Sequence, residues 1–285
     1  TEGPRWIAVG DSFTLALQVS ESDTFVAKLS EKLNVEIINA GVDGYSTREA
    51  SVRLAQLALT FPPNAVVLAF LTGNHLADNL RAIRRTPTSP GRSPRPGGPD
   101  FPVHPTPPPL KLNFVELFLR EHSVLFAHYL VWDKQQKIAS GRDRRSKHFR
   151  DELEIFGPLV RQKLAHDMPA TNAALAQFAA TATRAGAATT YVVVLPPAFG
   201  LDPEVARVTL RTFGVEGEPD VNTAYEAILA AVSETGMLPC DARPELRATY
   251  EAGKNPYFLF DAHLTAEGHT AVANAIFRCV TESTP

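Results

Sequence analysis

Apolar residues fall into two recurring patterns along this chain. Short, largely apolar runs occur at residues 6–9, 35–38, 65–71 and 191–195. Runs of this length without a polar–apolar alternation predict strands buried on both faces. Between them, apolar residues recur at helical spacing. Phe25, Val26, Leu29 and Leu33 mark a helix over 24–33, and Ala50, Leu54, Leu57 and Ala58 mark another. Ser46 or Thr47 supplies the cap of that second helix, and Pro62-Pro63 closes it. Residues 169–185, 221–235 and 266–280 read as further helices, while 241–258 has no clear period. The order β-α-β-α-β predicts an α/β fold, a parallel sheet with helices on both faces. In such a sheet, ligand sites lie where the strands end at their carboxyl side. Three loops fall there: one after Val9, one over residues 39–46, and Thr72-Gly73-Asn74-His75.

The middle of the chain breaks the pattern. Residues 86–109 hold ten prolines and few large apolar side chains, a composition unable to offset its ordering entropy by burial. A helix is expected over 111–134, with Val115, Phe118, Leu119, His122, Leu125, Phe126, Tyr129 and Leu130 on one face, packed as a core helix. Residues 141–150 are strongly basic and read as a solvated loop. These features predict a single domain over 1–285 with a Pro-rich and helical insertion at about 86–164.

Composition narrows the function. With 28 Lys and Arg against 31 Asp and Glu, the net charge is -3, so nothing electrostatic recommends a nucleic-acid partner. No apolar run is long enough to span a bilayer, and charged residues interrupt the best candidate, 115–132. No Gly-x-Gly-x-x-Gly or phosphate-loop pattern occurs, which argues against a nucleotide cofactor. The two cysteines, Cys240 and Cys279, have no metal-type spacing. They either pair or stay as buried thiols, and spacing does not choose between these.

The first loop presents Gly10-Asp11-Ser12 where a strand gives way to a helix. A serine there has room to act as a nucleophile, and its own N–H is one of those a helix leaves without an internal partner. It needs a base and donors for an oxyanion. His263 is the candidate base, because Asp261 two residues earlier is placed to orient it. His269 is the competitor, but its place inside the final helix gives it a structural role. The oxyanion donors are the N–H of Ser12, the N–H of Gly41 and the side-chain amide of Asn74. His75 is expected at the pocket rim, in contact with substrate.

Gly10-Asp11-Ser12, Asn39-x-Gly41-x-x-Gly44, Gly73-Asn74 and Asp261-x-His263 together resemble, in order, the four blocks of SGNH (GDSL-type) hydrolases. Asp23-Thr24-Phe25 and Ser46-Thr47 add to the likeness. It covers roughly the first eighty residues and the last twenty-five. The resemblance implies a flavodoxin-like three-layer α/β/α sandwich, with Ser12 as nucleophile, His263 as base and Asp261 as its orienter. Gly41 and Asn74 would complete the oxyanion hole, and no metal or organic cofactor is implied. Two features depart from the family pattern. His75 follows Asn74 where many members have Asp, and one residue rather than two separates the acid from the histidine. The shorter spacing is similar to that of some exported polysaccharide O-acetyltransferases and esterases.

The expected function is therefore a serine-dependent esterase acting on a small-molecule or carbohydrate ester. An O-acyltransferase would use the same residues, and a binding or scaffold module on the same fold is the reading from another class. The sequence as given shows no signal peptide, but it opens on Thr1 rather than Met, which leaves room for a segment upstream. A Cys240–Cys279 bridge together with the acetyl-sugar likeness would point to export, with a cytoplasmic role as the alternative.

Overall fold

A computed structural model of the chain describes residues 3–84, 152–259 and 262–283, with residues 129, 132, 136 and 150. It divides into two compact units, one made of Thr1–Arg84 with Phe149–Pro285 and the other of Arg85–His148. The Pro-rich stretch 86–109, the basic stretch 141–149 and nearly all of the helix expected over 111–134 lie outside the described residues. In the second unit, the rings of Tyr129 and Trp132 lie 6.2 Å apart and both side chains are exposed. Residues from 149 onward belong to the first unit, so it takes in the end of the segment read above as an insertion.

The first unit is built on five parallel strands: β1 (Arg5–Val9), β2 (Glu36–Asn39), β3 (Ala65–Leu71), β4 (Thr189–Leu195) and β5 (Leu238–Asp241). Their spatial order is β2-β1-β3-β4-β5, the flavodoxin-like order. The helices described are α1 (Ser12–Leu15), α2 (Phe25–Leu33), α3 (Thr47–Ala58), α4 (Thr72–Arg84), α5 (Val160–Arg184), α6 (Pro203–Thr212), α7 (Val221–Glu234), α8 (Arg243–Glu251) and α9 (Ala266–Ser283).

The apolar strands divide their side chains between two cores. Ile7, Val9, Val66, Leu68, Phe70, Val192 and Val194 face one side, where Leu54, Leu76, Leu175, Phe178, Tyr225 and Ile228 cover them. Trp6, Ala8, Val67, Ala69, Tyr191 and Val193 face the other, against Phe25, Leu29, Leu246, Val272 and Ile276. Residue periodicity of two along each strand thus feeds two helical layers, giving a three-layer α/β/α sandwich.

Local signals explain most element ends. Ser46 caps α3 in a reciprocal box with Glu49, and the Thr24 side chain caps α2. The strand β5 went unread because it is short and carries Pro239, which a sheet accepts only at an edge. α5 begins nine residues before Pro169, which sits inside the helix rather than at its start. α6 and α8 escaped the periodicity, although Asp202-Pro203 is a helix-start signal by itself.

Cys240 and Cys279 form a disulfide, Cα atoms 5.5 Å apart, that ties β5 to α9 across 39 residues. A loop of that length is stabilised by roughly 4 kcal/mol in the chain-entropy account. Replacing both cysteines by serine is expected to lower the melting temperature by about 5 °C or more, measured by thermal unfolding with and without a reductant. Reductant should shift the parent protein and leave the variant unmoved.

Candidate active site

At the end of β1 the backbone passes through Gly10, where no side chain fits. A Cβ there would stand 2.3 Å from Thr14 Oγ1 and 3.1 Å from the carbonyl oxygen of Ala69. Asp11 follows and caps α1, its Oδ1 accepting the N–H of Phe13 at 2.9 Å. Ser12 is the first residue of this four-residue helix, which Ala16 closes in the left-handed conformation (φ 58°). The N–H of Ser12 has no hydrogen-bond partner among the described residues, as expected of a first-turn amide.

His263 arrives from the other end of the chain. Its Nε2 lies 2.8 Å from Ser12 Oγ, and its ring tilts against Phe13 with centroids 4.9 Å apart. The loop that carries it is fixed on both sides. The Phe258 N–H donates to the carbonyl of His263 at 2.8 Å, and the Ala262 N–H to that of Phe258 at 2.9 Å. Ala262 itself has φ 62°, an unusual conformation for a residue with a Cβ. Behind the loop, Gly268 lets α9 approach directly, since a Cβ there would meet the Pro256 carbonyl oxygen at 1.9 Å. Asp261, expected to orient the base, lies outside the described residues.

Gly41 is buried beside α1. Its N–H donates to Asn39 Oδ1 at 3.1 Å, and Asn39 Nδ2 donates in turn to the carbonyl of Thr14 at 2.8 Å. A Cβ at Gly41 would stand 2.3 Å from the Leu15 nitrogen. Close packing of two backbones therefore demands this glycine. Asn74 is half-buried in the first turn of α4, and its side-chain amide has no partner among the described residues.

His75 is not at a rim. It is fully buried, its Nδ1 accepting the Leu71 N–H at 3.1 Å and its ring stacked on Phe70 at 4.7 Å. The cause is that α4 begins at Thr72 with no loop after β3. One helical step turns position 75 about 100° from Asn74, and it points inward. The contact expected with substrate is withdrawn on that ground.

His269 has the structural place assigned to it. It is buried, and its Nδ1 accepts the Phe25 N–H at 3.2 Å, so it satisfies an otherwise unpaired amide at the start of α2. Burial, with Lys28 nearby, lowers its pKa to about 4. In the residues alone Asp11 stands only as part of Gly10-Asp11-Ser12, although an Asp just ahead of a helix is a cap signal. Among the described residues, no group of His, Cys, Asp and Glu is arranged to hold a metal ion, and no helix is long and apolar enough to cross a membrane. A groove of about 900 Å³ opens beside α2, lined by Leu15, Leu17, Val19, Val26 and Ile37. It reaches the far end of α1 but is lined by neither Ser12 nor His263.

No protein-family model matches the chain, and no curated protein matches it. Solved structures do. A protein named TesA aligns over 98% of this chain and 98% of its own at 13% identity, TM-score 0.46. A lipolytic protein of the G-D-S-L family from Veillonella parvula aligns over 97% and 98% at 14% identity, TM-score 0.46. Axe2, an acetylxylan esterase from Geobacillus stearothermophilus, aligns over 98% and 94% at 12% identity, TM-score 0.46.

Two outcomes follow from these contacts. Gly41→Ala and Gly268→Ala should each lose roughly 1–3 kcal/mol of stability through overpacking, read by denaturant unfolding. His269 gives a pH dependence. Its folded pKa of about 4 lies below the ordinary 6.5, so the unfolded chain binds the extra proton first. Stability is then fully present above about pH 6.5 and falls as the pH drops toward 4, by up to about 3 kcal/mol. His269→Gln should flatten that slope in urea unfolding between pH 7.5 and pH 4.5.

Proposed function

We propose that this protein is a serine-dependent hydrolase of carboxylic esters. The observation that carries the reading is the 2.8 Å contact between Ser12 Oγ and His263 Nε2, made across 251 residues of sequence. A serine hydroxyl is a weak nucleophile unless a base takes its proton as it attacks. With its proton on Nδ1, His263 offers Nε2 as that base. Asp261, two residues earlier, is assigned to hold this tautomer.

The reaction then runs in two halves. Ser12 Oγ adds to the ester carbonyl while His263 takes the hydroxyl proton. The carbonyl oxygen becomes an oxyanion held by the unengaged N–H of Ser12 and the amide of Asn74. The Gly41 N–H serves it only by sharing its bond to Asn39. The intermediate collapses, His263 gives its proton to the departing alkoxide, and an acyl-serine remains. Water, deprotonated by the same imidazole, releases the acid. An alcohol in the place of water would instead receive the acyl group.

Hydrolysis of short p-nitrophenyl esters, with and without added alcohol acceptors, tests the reading. Ser12→Ala and His263→Ala should each lower kcat on the order of 10⁴-fold or more. Asn74→Ala should lower it by about 10²–10³-fold. Equal rates for the parent and Ser12→Ala would overturn the assignment.

A further inference from the structure

Beneath Ser12 lies a pair of side chains that the mechanism leaves unused. Asp11 and His75 are 2% and 0% exposed. Asp11 Oδ2 stands 3.9 Å from His75 Nδ1. Asp11 Oδ2 and His75 Nε2 are both buried without a hydrogen-bond partner among the described residues. Buried polar atoms are nearly always paired, so two orphans on neighbouring side chains mark a place where stability is given up.

We infer that His75 is a positioning residue for the nucleophile. This rests on the reading of Ser12 given above. Asp11 is the residue immediately before Ser12. One of its oxygens fixes the first turn of α1 through the Phe13 N–H, and the other faces His75. The imidazole is itself held by the end of β3, through the Leu71 N–H and the face of Phe70. The pair therefore joins the ends of β1 and β3, from which the chain departs in opposite directions across the sheet. A movement of the Asp11 carboxylate passes through one peptide to Ser12 Oγ.

The surroundings supply no simple substitute for His75. Asp78 of α4 is within electrostatic reach of both Asp11 and His75, and Arg81 of α4 and Glu49 of α3 are near Asp78 in turn. Arg81 is committed to Asp78 at 2.6 Å and to Glu152 at 2.9 Å. Glu49 is committed to the cap of α3. Without the imidazole, the free oxygen of Asp11 would face an emptied space one peptide away from Ser12. The Leu71 N–H occupies Nδ1, so the ring holds the carboxylate by packing and not by a hydrogen bond. With the ring removed the carboxylate is free to shift, and a misplacement of about 1 Å at a reacting group costs about 10²-fold in rate.

The test joins kinetics to a spectroscopic reading. His75→Ala should lower kcat for a p-nitrophenyl ester by about 10²-fold with KM little changed. In the Asp11→Asn/His75→Ala double variant no charged oxygen remains to be drawn into the space the ring vacated, and kcat should recover at least about tenfold over His75→Ala. An unchanged kcat in His75→Ala, or no recovery in the double variant, would overturn the inference. A purely structural role predicts additive losses of melting temperature and no recovery. Should His75→Ala fail to fold, the ring ¹⁵N shifts of His75 in the parent and in Asp11→Asn decide. A changed tautomer balance supports the coupling, and identical shifts overturn it. An inactive parent enzyme would sink the esterase reading instead, while the ring shifts still report on the pair.

Discussion

A sheet in which every strand points the same way gathers all its carboxyl ends along one edge. Here that constraint is sharpened by the strand order. β1 has β2 on one side and β3 on the other, with backbone pairing to both. The chain leaving β1 must emerge between two neighbours, and the loops from those neighbours must crowd the same spot. Gly10 and Gly41 are the marks of that crowding, since each has backbone where a side chain would go. Ser12, Gly41 and Asn74 stand just past the carboxyl ends of three neighbouring strands by this topology.

The imidazole is delivered by different means. It comes on the loop that the isolated bridge Tyr257–Leu264 closes, just ahead of α9, and not from the end of a strand in the sheet. Its placement depends on α9 packing against α2 and the sheet, through Val272, Ile276 and the His269–Phe25 contact. Two histidines near the same helix start thus have opposite environments. His263 reaches the serine at the surface of the unit, whereas His269 is buried and held neutral as a hydrogen-bond acceptor.

Much of this was legible in the residues because the strongest signals were the simplest. The continuous apolar runs of β1, β3 and β4 could only be strands covered on both faces, and their order fixed which loops share an edge. Ser12 and His263 stood out for chemical reasons and because their surroundings match known blocks. What failed to show in the sequence has physical causes. β5 is an edge strand of four residues with a proline, which no pattern of period two reveals. The inward turn of His75 depends on the absence of a loop between β3 and α4, a fact of register rather than of composition. The need for Gly41 came from a neighbouring backbone, and a single sequence does not display neighbours.

The disulfide has a topological consequence apart from its effect on stability. Residues 240–279 form a covalently closed ring, and His263 lies within it while Ser12 lies outside. The exposed turn at residues 252–255, just past α8, also belongs to the ring. A protease that nicks the backbone there opens the ring without releasing either piece. The imidazole's segment stays tethered to β5 through sulfur, so a cut at that turn does not part His263 from Ser12.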